Sequence, residues 1–214
     1  MGLEMRASKR DLEWRLPYVR LLDAAGGSVR SFEEMGRTYL PDGNEWVQYE
    51  VQQLSAVPVV SAVLGSVAGL PAVQAPLSHF SVMVEGMSQI FPGGPPVVKA
   101  ALGYDIAKED LGGDHIHVRL SGCVDNLAKD EADAYQQIRA FLSYLPSNVH
   151  EMAPRGDTSD DPNRCEEMLL SAMPKDRRKT YDAKKILRAV VDRDSFFEIA
   201  PFYGRARMAG LARI

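Results

Sequence analysis

VPVVSAVLGSVAGLPAVQA, residues 57–75, is the stretch of sequence that decides the fold. It begins with an eight-residue apolar run that ends at Leu64, and the apolar character resumes after Gly69. A run of this length that is rich in valine suits a strand buried on both faces better than a helix. Gly65 and Gly69 then bracket a predicted turn, and Pro71 suits the first turn of a following helix. The pattern therefore predicts a strand, a glycine turn and a helix.

Two further glycine pairs, Gly26-Gly27 and Gly93-Gly94, also follow an apolar run and precede a helical one. Backbone N–H groups at such junctions have no intrahelical partner, so they can face an oxygen atom of a ligand. The plainer alternative, an ordinary turn without a ligand, stays open for each of them. Amides in this position suit chemistry in which negative charge develops on an oxygen, as in a thioester enolate, and losing one such donor costs about 3–4 kcal/mol.

Strands and helices are predicted to alternate along the rest of the chain. Strands are predicted at residues 16–25, 80–84 and 89–91 and from Tyr203, and helices at residues 6–14, 50–55, 97–102, 108–111, 130–145, 165–172 and 183–191. Residues 28–40 are predicted to form a short helix or an ordered loop, and residues 41–44 a turn. Alternation of buried strands with helices predicts an α/β fold with parallel strands and right-handed crossovers.

The composition is that of an ordinary globular protein, with 214 residues, 45% hydrophobic and 25% charged. The formal net charge of −4 argues against nucleic acid or an anionic membrane as a partner. Charged residues interrupt the first fifteen positions, so no signal peptide is predicted, and no apolar stretch is long enough to span a membrane. Two cysteines, Cys123 and Cys165, are too few for a disulfide framework. A reducing cytoplasmic setting is expected.

Side-chain chemistry is sparse. No Ser-His-Asp or Cys-His arrangement is evident, and His115 and His117 alternate like strand neighbours without a third ligand, so no metal site is predicted. His79 is interpreted as a hydrogen-bonded core or interface histidine, and Cys123 as a small buried residue. The basic run at residues 175–179 is interpreted as a solvated face, with phosphate binding as the alternative.

Several long runs of sequence together resemble a known family. They are AGGSVRSFEEMGRTYL (25–40), VPVVSAVLGSVAGLPAVQAPLSHFSVMVEG (57–86), FPGGPPVVKAALG (91–103), KEDLGG (108–113), LSGCVDNLAKDEADA (120–134) and YDAKKILRAVVDRDSFFEIAPFYGRARMAGLARI (181–214). The chain resembles the carboxyltransferase (β) subunit of biotin-dependent acyl-CoA carboxylases, most of all the propionyl-CoA and acetyl-CoA carboxylase group. The resemblance extends over nearly all residues beyond Arg15.

The resemblance implies a crotonase-like fold of stacked βα turns and an enzyme that transfers a carboxyl group. In that family the N-terminal half binds the acyl-CoA, the C-terminal half binds the biotin of a carrier protein, and active sites form between subunits of a ring-like hexamer. Carboxybiotin gives up its carboxyl group, the ureido nitrogen takes the α-proton, and the enolate attacks the carbon dioxide. The implied cofactor is thus biotin on a partner protein, acyl-CoA is the substrate, and no metal is required.

Site residues follow from the resemblance position by position. The backbone oxyanion hole for the enolate would be formed by the amides of Gly69 and Leu70, where the family more usually has two glycines. A leucine still donates its N–H, but its side chain restricts the backbone and occupies space over the thioester. The residues expected to bind the acyl-CoA lie in the three glycine turns: Gly26, Gly27, Ser28, Gly65, Ser66, Ala68, Gly93, Gly94 and Pro95.

Length is the main departure, because members of that family are more than twice as long. The expected organisation is a partial N-terminal carboxyltransferase domain at residues 1–146, a linker at residues 147–181, and a helix with the start of a truncated C-terminal domain at residues 182–214. The expected function is transfer of the carboxyl group of carboxybiotin to the α-carbon of a short acyl-CoA, acetyl- or propionyl-CoA. The expected partners are a biotin carboxylase or carrier subunit and further copies or full-length subunits. Two alternatives are a non-catalytic remnant that binds CoA thioesters or associates with full-length subunits, and a biotin-dependent decarboxylase subunit.

Overall fold

The computed structural model describes residues 2–27, 33–36 and 44–214. The strands are β1 Tyr18–Ala24, β2 Val59–Ala68, β3 Phe80–Val84, β4 Gln89–Phe91, β5 Asn126–Ala128, β6 Phe197–Ile199 and β7 Ala209–Leu211. The helices are α1 Gly2–Trp14, α2 Asn44–Ala56, α3 Pro71–Gln74, α4 Pro95–Leu102, α5 Lys108–Gly112, α6 Glu131–Leu142 and α7 Ala183–Val190, with a π-helical segment at His115–Leu120 and a 3₁₀ turn at Glu167–Leu170. The predictions for residues 28–32, 37–40 and 41–43 lie outside the described residues.

The main sheet is parallel and is built around β2, as the opening stretch predicts. One edge of β2 pairs with β1. The other edge pairs with β3 along the first half of the strand and with β4 along its last three residues, and β5 adds to β3. The parallel pairing and the intervening helices confirm the predicted α/β architecture. Strand β2 has ten residues, enough to pair with different neighbours at its two ends, and it is buried over most of its length.

The predicted end of the central strand is wrong. Gly65 was expected to open a turn, but β2 continues through it to Ala68, and the turn consists of Gly69 and Leu70 alone. The pairing of β1 with β2 shifts its register between Leu22 and Ala24, where three residues of β2 lie opposite a single residue of β1. This irregularity is a β-bulge, and a glycine fits it without ending the strand.

Two apolar cores lie on the two faces of the sheet. One contains Val63, Val67 and Met83 from the strands together with residues of α3 and of the π-helical segment. The other packs Ala134, Ile138 and Phe141 of α6 against β2 and β3. The prediction of α6 is confirmed, and its N-cap Asp130 accepts a hydrogen bond from the Asp133 backbone N–H at 2.8 Å. The sheet is therefore covered on both faces, as parallel sheets usually are.

Three predictions about single residues are wrong. His115 and His117 lie in a π-helical segment rather than a strand, with the His117 Nε2 2.8 Å from the Ile90 carbonyl oxygen of β4. Cys123 is exposed, and it follows Gly122, whose φ is +67°. Tyr203 lies in a turn, and the last strand begins only at Ala209. In each case the prediction rested on the residue types nearby in sequence, which do not show which other elements of the fold pack against the residue.

His79 is satisfied by two hydrogen bonds, although its side chain is exposed. Its Nδ1 accepts from the Val59 N–H at 3.0 Å, so the ring donates through Nε2 to the Leu54 carbonyl oxygen at 2.9 Å. The imidazole thereby joins the end of α2 to the start of β2. The role of the His79 side chain in the fold is therefore structural, in agreement with the sequence analysis.

Residues 197–211 pack onto the second core. Phe197 of the antiparallel β6–β7 pair lies edge-on to Phe80, with ring centroids 5.3 Å apart, and Phe80 stacks on Phe141. The buried Asn126 side chain donates to the Glu198 carbonyl oxygen and accepts from the Ala200 N–H. Helix α7 begins at its predicted cap, where Asp182 accepts from the Lys184 N–H at 3.0 Å.

Asp125 provides a test of pH-dependent stability. Burial raises the pKa of its carboxyl, and hydrogen bonds from the Ser81 hydroxyl and N–H, each 2.8 Å long, lower it by less. The native state therefore holds this proton up to a higher pH than the unfolded chain, in which the pKa of Asp is about 3.9. The contribution of Asp125 to stability is present below that value and is lost as the pH rises through the raised pKa.

Accordingly, Asp125→Asn is expected to gain stability relative to the unsubstituted chain as the pH rises from about 3 to neutrality. Urea unfolding across that range measures the difference. Asp157→Asn is the opposite-sign control, because hydrogen bonds from Ser159 lower the pKa of the exposed Asp157 carboxyl. A difference that stays flat with pH for Asp125→Asn would contradict the assignment.

Candidate functional site

The three glycine turns meet at one edge of the sheet. Because β1, β2 and β4 run parallel and pair side by side, their carboxyl ends lie together, and each is followed by one of the turns. A Cβ placed on Gly26 would lie 3.1 Å from the Ala68 carbonyl oxygen, and one placed on Gly69 would lie 3.7 Å from the Gly26 Cα. The Gly69 N–H donates to the Phe91 carbonyl oxygen at 3.1 Å. In open α/β sheets, ligands bind at the carboxyl ends of the strands.

Gly69 is the residue that shapes the central turn. Its φ is +72°, a left-handed conformation that a side chain disfavours, and its N–H is engaged by Phe91. The second point corrects the expectation that the Gly69 amide donates to a ligand, because the N–H extends the pairing of β2 with β4. The role of Gly69 in the structure is to turn the chain from β2 into α3.

Leu70 carries the unengaged amide of this turn. Within the described part of the chain its N–H has no hydrogen-bond partner, whereas its carbonyl oxygen accepts from the Val73 N–H at 3.0 Å. Its φ and ψ are −57° and −42°, an ordinary right-handed conformation that leucine adopts without strain. The restriction that leucine was expected to impose on the backbone is therefore absent. What remains is its side chain, which is 51% exposed beside the amide.

The turn at Gly93-Gly94 offers fewer free backbone N–H groups than the start of a helix usually does. Pro95 and Pro96 occupy the first two positions of α4 and have no N–H, and the next two N–H groups donate to the Gly94 carbonyl oxygen. Gly93 and Gly94 keep N–H groups without partners among the described residues. The predicted turn is confirmed, and it lies at the shared edge because Gly93 follows Phe91 by two residues.

Ser66 does not present its hydroxyl to the edge. Its Oγ donates to the Gln89 Oε1, and the buried Gln89 amide donates in turn to the Glu109 Oε1 at 2.6 Å. This chain of hydrogen bonds ties β2 and β4 to α5. Ser66 was expected to bind substrate, and Gln89 and Glu109 were not singled out; a glutamine inside an apolar strand pattern was the available signal for them.

Gly65 lies against the carboxylate of Asp23. A Cβ at this position would clash with the side chain of Asp23, which is the single β1 residue inside the bulge. Asp23 is exposed near the carboxyl end of β1. Most of the residues predicted for the site lie together at this edge: Gly26, Gly27, Ala68, Gly69, Leu70, Gly93, Gly94 and Pro95. Two of them, Gly65 and Ser66, lie further back within β2. Ser28 lies outside the described residues.

Other features of the described residues lie away from this edge. A cavity of about 850 Å³ separates residues 157–165 from residues 192–195, and no residue of the three turns lines it. In its wall the Arg193 backbone N–H, 3.0 Å from Asp160, lowers the pKa of that carboxyl. Among the described residues no three His, Cys, Asp or Glu side chains are grouped as metal ligands, and no described helix is long and apolar enough to cross a membrane.

Comparison with known families matches residues 4–214 to the carboxyl transferase domain. Among curated relatives, the chain is 39% identical over 157 residues to the methylmalonyl-CoA decarboxylase subunit alpha of Veillonella parvula, which covers 73% of this chain and 31% of that protein. It is 32% identical over 203 residues to the propionyl-CoA carboxylase carboxyltransferase subunit of Haloferax mediterranei, covering 95% of this chain and 39% of that protein. The chain thus spans 31% to 39% of the length of these two relatives.

Solved structures show the same fold. Transcarboxylase 12S, solved as a hexamer with hydrolysed methylmalonyl-CoA bound, matches with a TM-score of 0.80 and 23% identity over 98% of this chain and 40% of that chain. A single-chain, multi-domain long-chain acyl-CoA carboxylase matches with a TM-score of 0.83 and 23% identity over all of this chain and 20% of that chain. The expected crotonase-like fold is confirmed.

Proposed function

The chain belongs to the carboxyl transferase domain family, and on that premise we propose that it supplies the acyl-CoA half-site of a biotin-dependent carboxyltransferase. The reaction would place a carboxyl group on the α-carbon of a short acyl-CoA, acetyl- or propionyl-CoA. The observation that carries the proposal is the Leu70 N–H, which has no partner among the described residues and lies at the edge where the three glycine turns meet.

The chemistry of a thioester fits an amide in this position. Removing the α-proton of an acyl-CoA moves negative charge onto the carbonyl oxygen, and a fixed N–H about 2.7–3.1 Å from that oxygen stabilises the charge. Leu70 would donate to this oxygen, while Gly93 and Gly94 offer further N–H groups along the same edge. Gly26 keeps the edge open, because a side chain there would press on the Ala68 carbonyl.

Biotin on a partner protein would supply the activated carboxyl group and is the proposed cofactor. The amide donors at the edge fit a thioester oxygen, and no described residue is assigned to holding biotin. We therefore extend the proposal to a biotin carrier or biotin carboxylase partner, to association with further copies or with full-length subunits, and to a cytoplasmic location. The division at residues 1–146, 147–181 and 182–214 is part of the same proposal.

Carboxyl exchange tests the proposal. The chain, mixed with a polypeptide that carries the remaining part of a family member, is incubated with free biotin and malonyl-CoA or methylmalonyl-CoA. The assay follows the reaction in reverse, so the expected result is transfer of the carboxyl group from malonyl-CoA or methylmalonyl-CoA to biotin. No transfer above that of the added polypeptide alone, together with no binding of CoA thioesters in calorimetry, would contradict the proposal and favour a non-catalytic remnant.

A decarboxylase subunit is the second candidate function. It is favoured by the 39% identity to a methylmalonyl-CoA decarboxylase subunit. Both functions use the same half-reaction at the acyl-CoA, so exchange cannot separate them. Purification of the natural complex does: a biotin carboxylase subunit that consumes ATP supports the carboxylase, and a complex that releases carbon dioxide from a carboxyacyl-CoA without ATP supports the decarboxylase.

A further inference from the structure

We propose that the Leu70 side chain selects the acyl group, admitting acetyl and disfavouring propionyl and branched acyl groups. This inference rests on the proposed function, because it concerns the thioester that would accept from the Leu70 amide. It goes beyond that function by choosing between the acyl groups that the half-site would take. Three features of Leu70 support it: its exposure, its backbone conformation and its position relative to its own N–H.

The side chain is not part of the packing that holds the fold. Ala72 and Ala75 of the same segment belong to the core on one face of the sheet, whereas Leu70 belongs to neither core and is 51% exposed. An isobutyl group that is half in solvent contributes only about half of what a fully buried one does, since about half of its apolar surface stays in water. Folding alone therefore does not require a leucine at this position.

The backbone holds the side chain in a fixed place. Leu70 has right-handed helical φ and ψ, and its carbonyl oxygen accepts from the Val73 N–H, so the residue forms the start of the α3 turn. The preceding Gly69, with φ of +72°, adopts the left-handed conformation that the turn requires. The leucine Cα is consequently anchored to α3, and only its side-chain rotamers can change.

The position of the side chain relative to the amide makes it a steric filter. Cβ and N are bonded to the same Cα, so an oxygen about 3 Å from the N–H lies within van der Waals reach of the leucine side chain. The carbon next to that carbonyl is the α-carbon of the acyl group. A methyl on the α-carbon, as in propionyl, would compete with the isobutyl group for space, whereas acetyl has only hydrogens there.

Titration calorimetry tests the inference with CoA, acetyl-CoA, propionyl-CoA and isovaleryl-CoA as probes. The unsubstituted chain is expected to bind acetyl-CoA about tenfold or more tightly than propionyl-CoA, since one methylene changes discrimination by about 10- to 200-fold. Leu70→Ala keeps the N–H and is expected to remove most of this difference, with the affinity for CoA itself unchanged. Val73→Ala is the matched control, because Val73 is 49% exposed one turn further along the same helix, and it should leave the preference unchanged.

Each outcome decides the inference. An acetyl preference that survives in Leu70→Ala, or a chain that binds propionyl-CoA as tightly as acetyl-CoA, overturns the selective role of Leu70 while leaving thioester binding intact. Loss of the preference in Val73→Ala as strongly as in Leu70→Ala also overturns it, because the effect would not be specific to the residue at the amide. An unsubstituted chain that binds none of the four probes overturns the proposed function itself.

Discussion

Arg20→Met is expected to lower the free energy of unfolding by about 3–5 kcal/mol, because it removes one member of a buried ion pair together with the hydrogen bonds of that member. The Arg20 guanidinium forms an ion pair with Glu50, and both side chains are only 2% exposed. It also donates to the carbonyl oxygens of Gln74 and Leu77, at 3.2 and 2.7 Å. These bonds join β1 to α2 and to the end of α3, the helix that begins directly after Leu70. Arg20 therefore supports both the sheet and the turn at its carboxyl edge.

Urea unfolding measures this loss. The double variant Arg20→Met/Glu50→Leu is expected to recover part of it, because neither of the two buried charges then has to be desolvated. Lys99→Met is the control, since its ion pair with Asp105 is 62% and 80% exposed and is worth less than about 1 kcal/mol. If Arg20→Met costs no more than Lys99→Met, the buried pair does not hold these elements together.

Leu70→Pro is expected to reduce carboxyl exchange by about 10²- to 10³-fold, the effect of losing one oxyanion donor. Proline fits the position, since the φ of −57° lies within the range that its ring allows. Within the described residues no hydrogen bond is lost, because the Leu70 N–H is unengaged. The substitution therefore removes the donor while leaving the pairing of Gly69 with Phe91 in place.

Unfolding and exchange are compared in the same set of variants. Leu70→Pro is expected to change the free energy of unfolding by less than about 1 kcal/mol. Leu70→Ala keeps the N–H and is therefore expected to retain carboxyl exchange from malonyl-CoA to biotin, the reaction that releases acetyl-CoA. Equal exchange by Leu70→Pro and Leu70→Ala, with both variants folded, would show that the amide is not the donor. A folded but inactive Leu70→Ala would point to the side chain instead.

Much of the fold was predictable because its signals are local. A valine-rich run marks a strand buried on both faces, Pro71 after Gly69 marks the start of a helix, and Asp130 marks the cap of α6; each was confirmed. The grouping of the three turns was expected only from the family resemblance, and the structure brings them together because β1, β2 and β4 are parallel neighbours whose carboxyl ends lie at one edge.

The rest depends on contacts between residues that are distant in sequence. Gly65 looked like a turn residue because the bulge against Asp23 of β1 leaves no mark in its own neighbourhood. The Gly69 amide looked available because its acceptor, the Phe91 carbonyl, belongs to a strand that joins β2 only in the folded sheet. The same holds for Ser66, whose hydroxyl is used by Gln89. Sequence patterns identify the turns, and the tertiary pairing decides that they meet and which of their donors stay open.

The most direct test of the account is the nuclear magnetic resonance signal of the Leu70 amide during titration with acetyl-CoA. Chain labelled with ¹⁵N-leucine gives this signal, which is assigned by its absence in Leu70→Ala. If the amide donates to the thioester oxygen, the Leu70 proton resonance moves downfield with acetyl-CoA and moves much less with CoA, which lacks that oxygen. A Leu70 resonance that stays in place while acetyl-CoA binds would contradict the account.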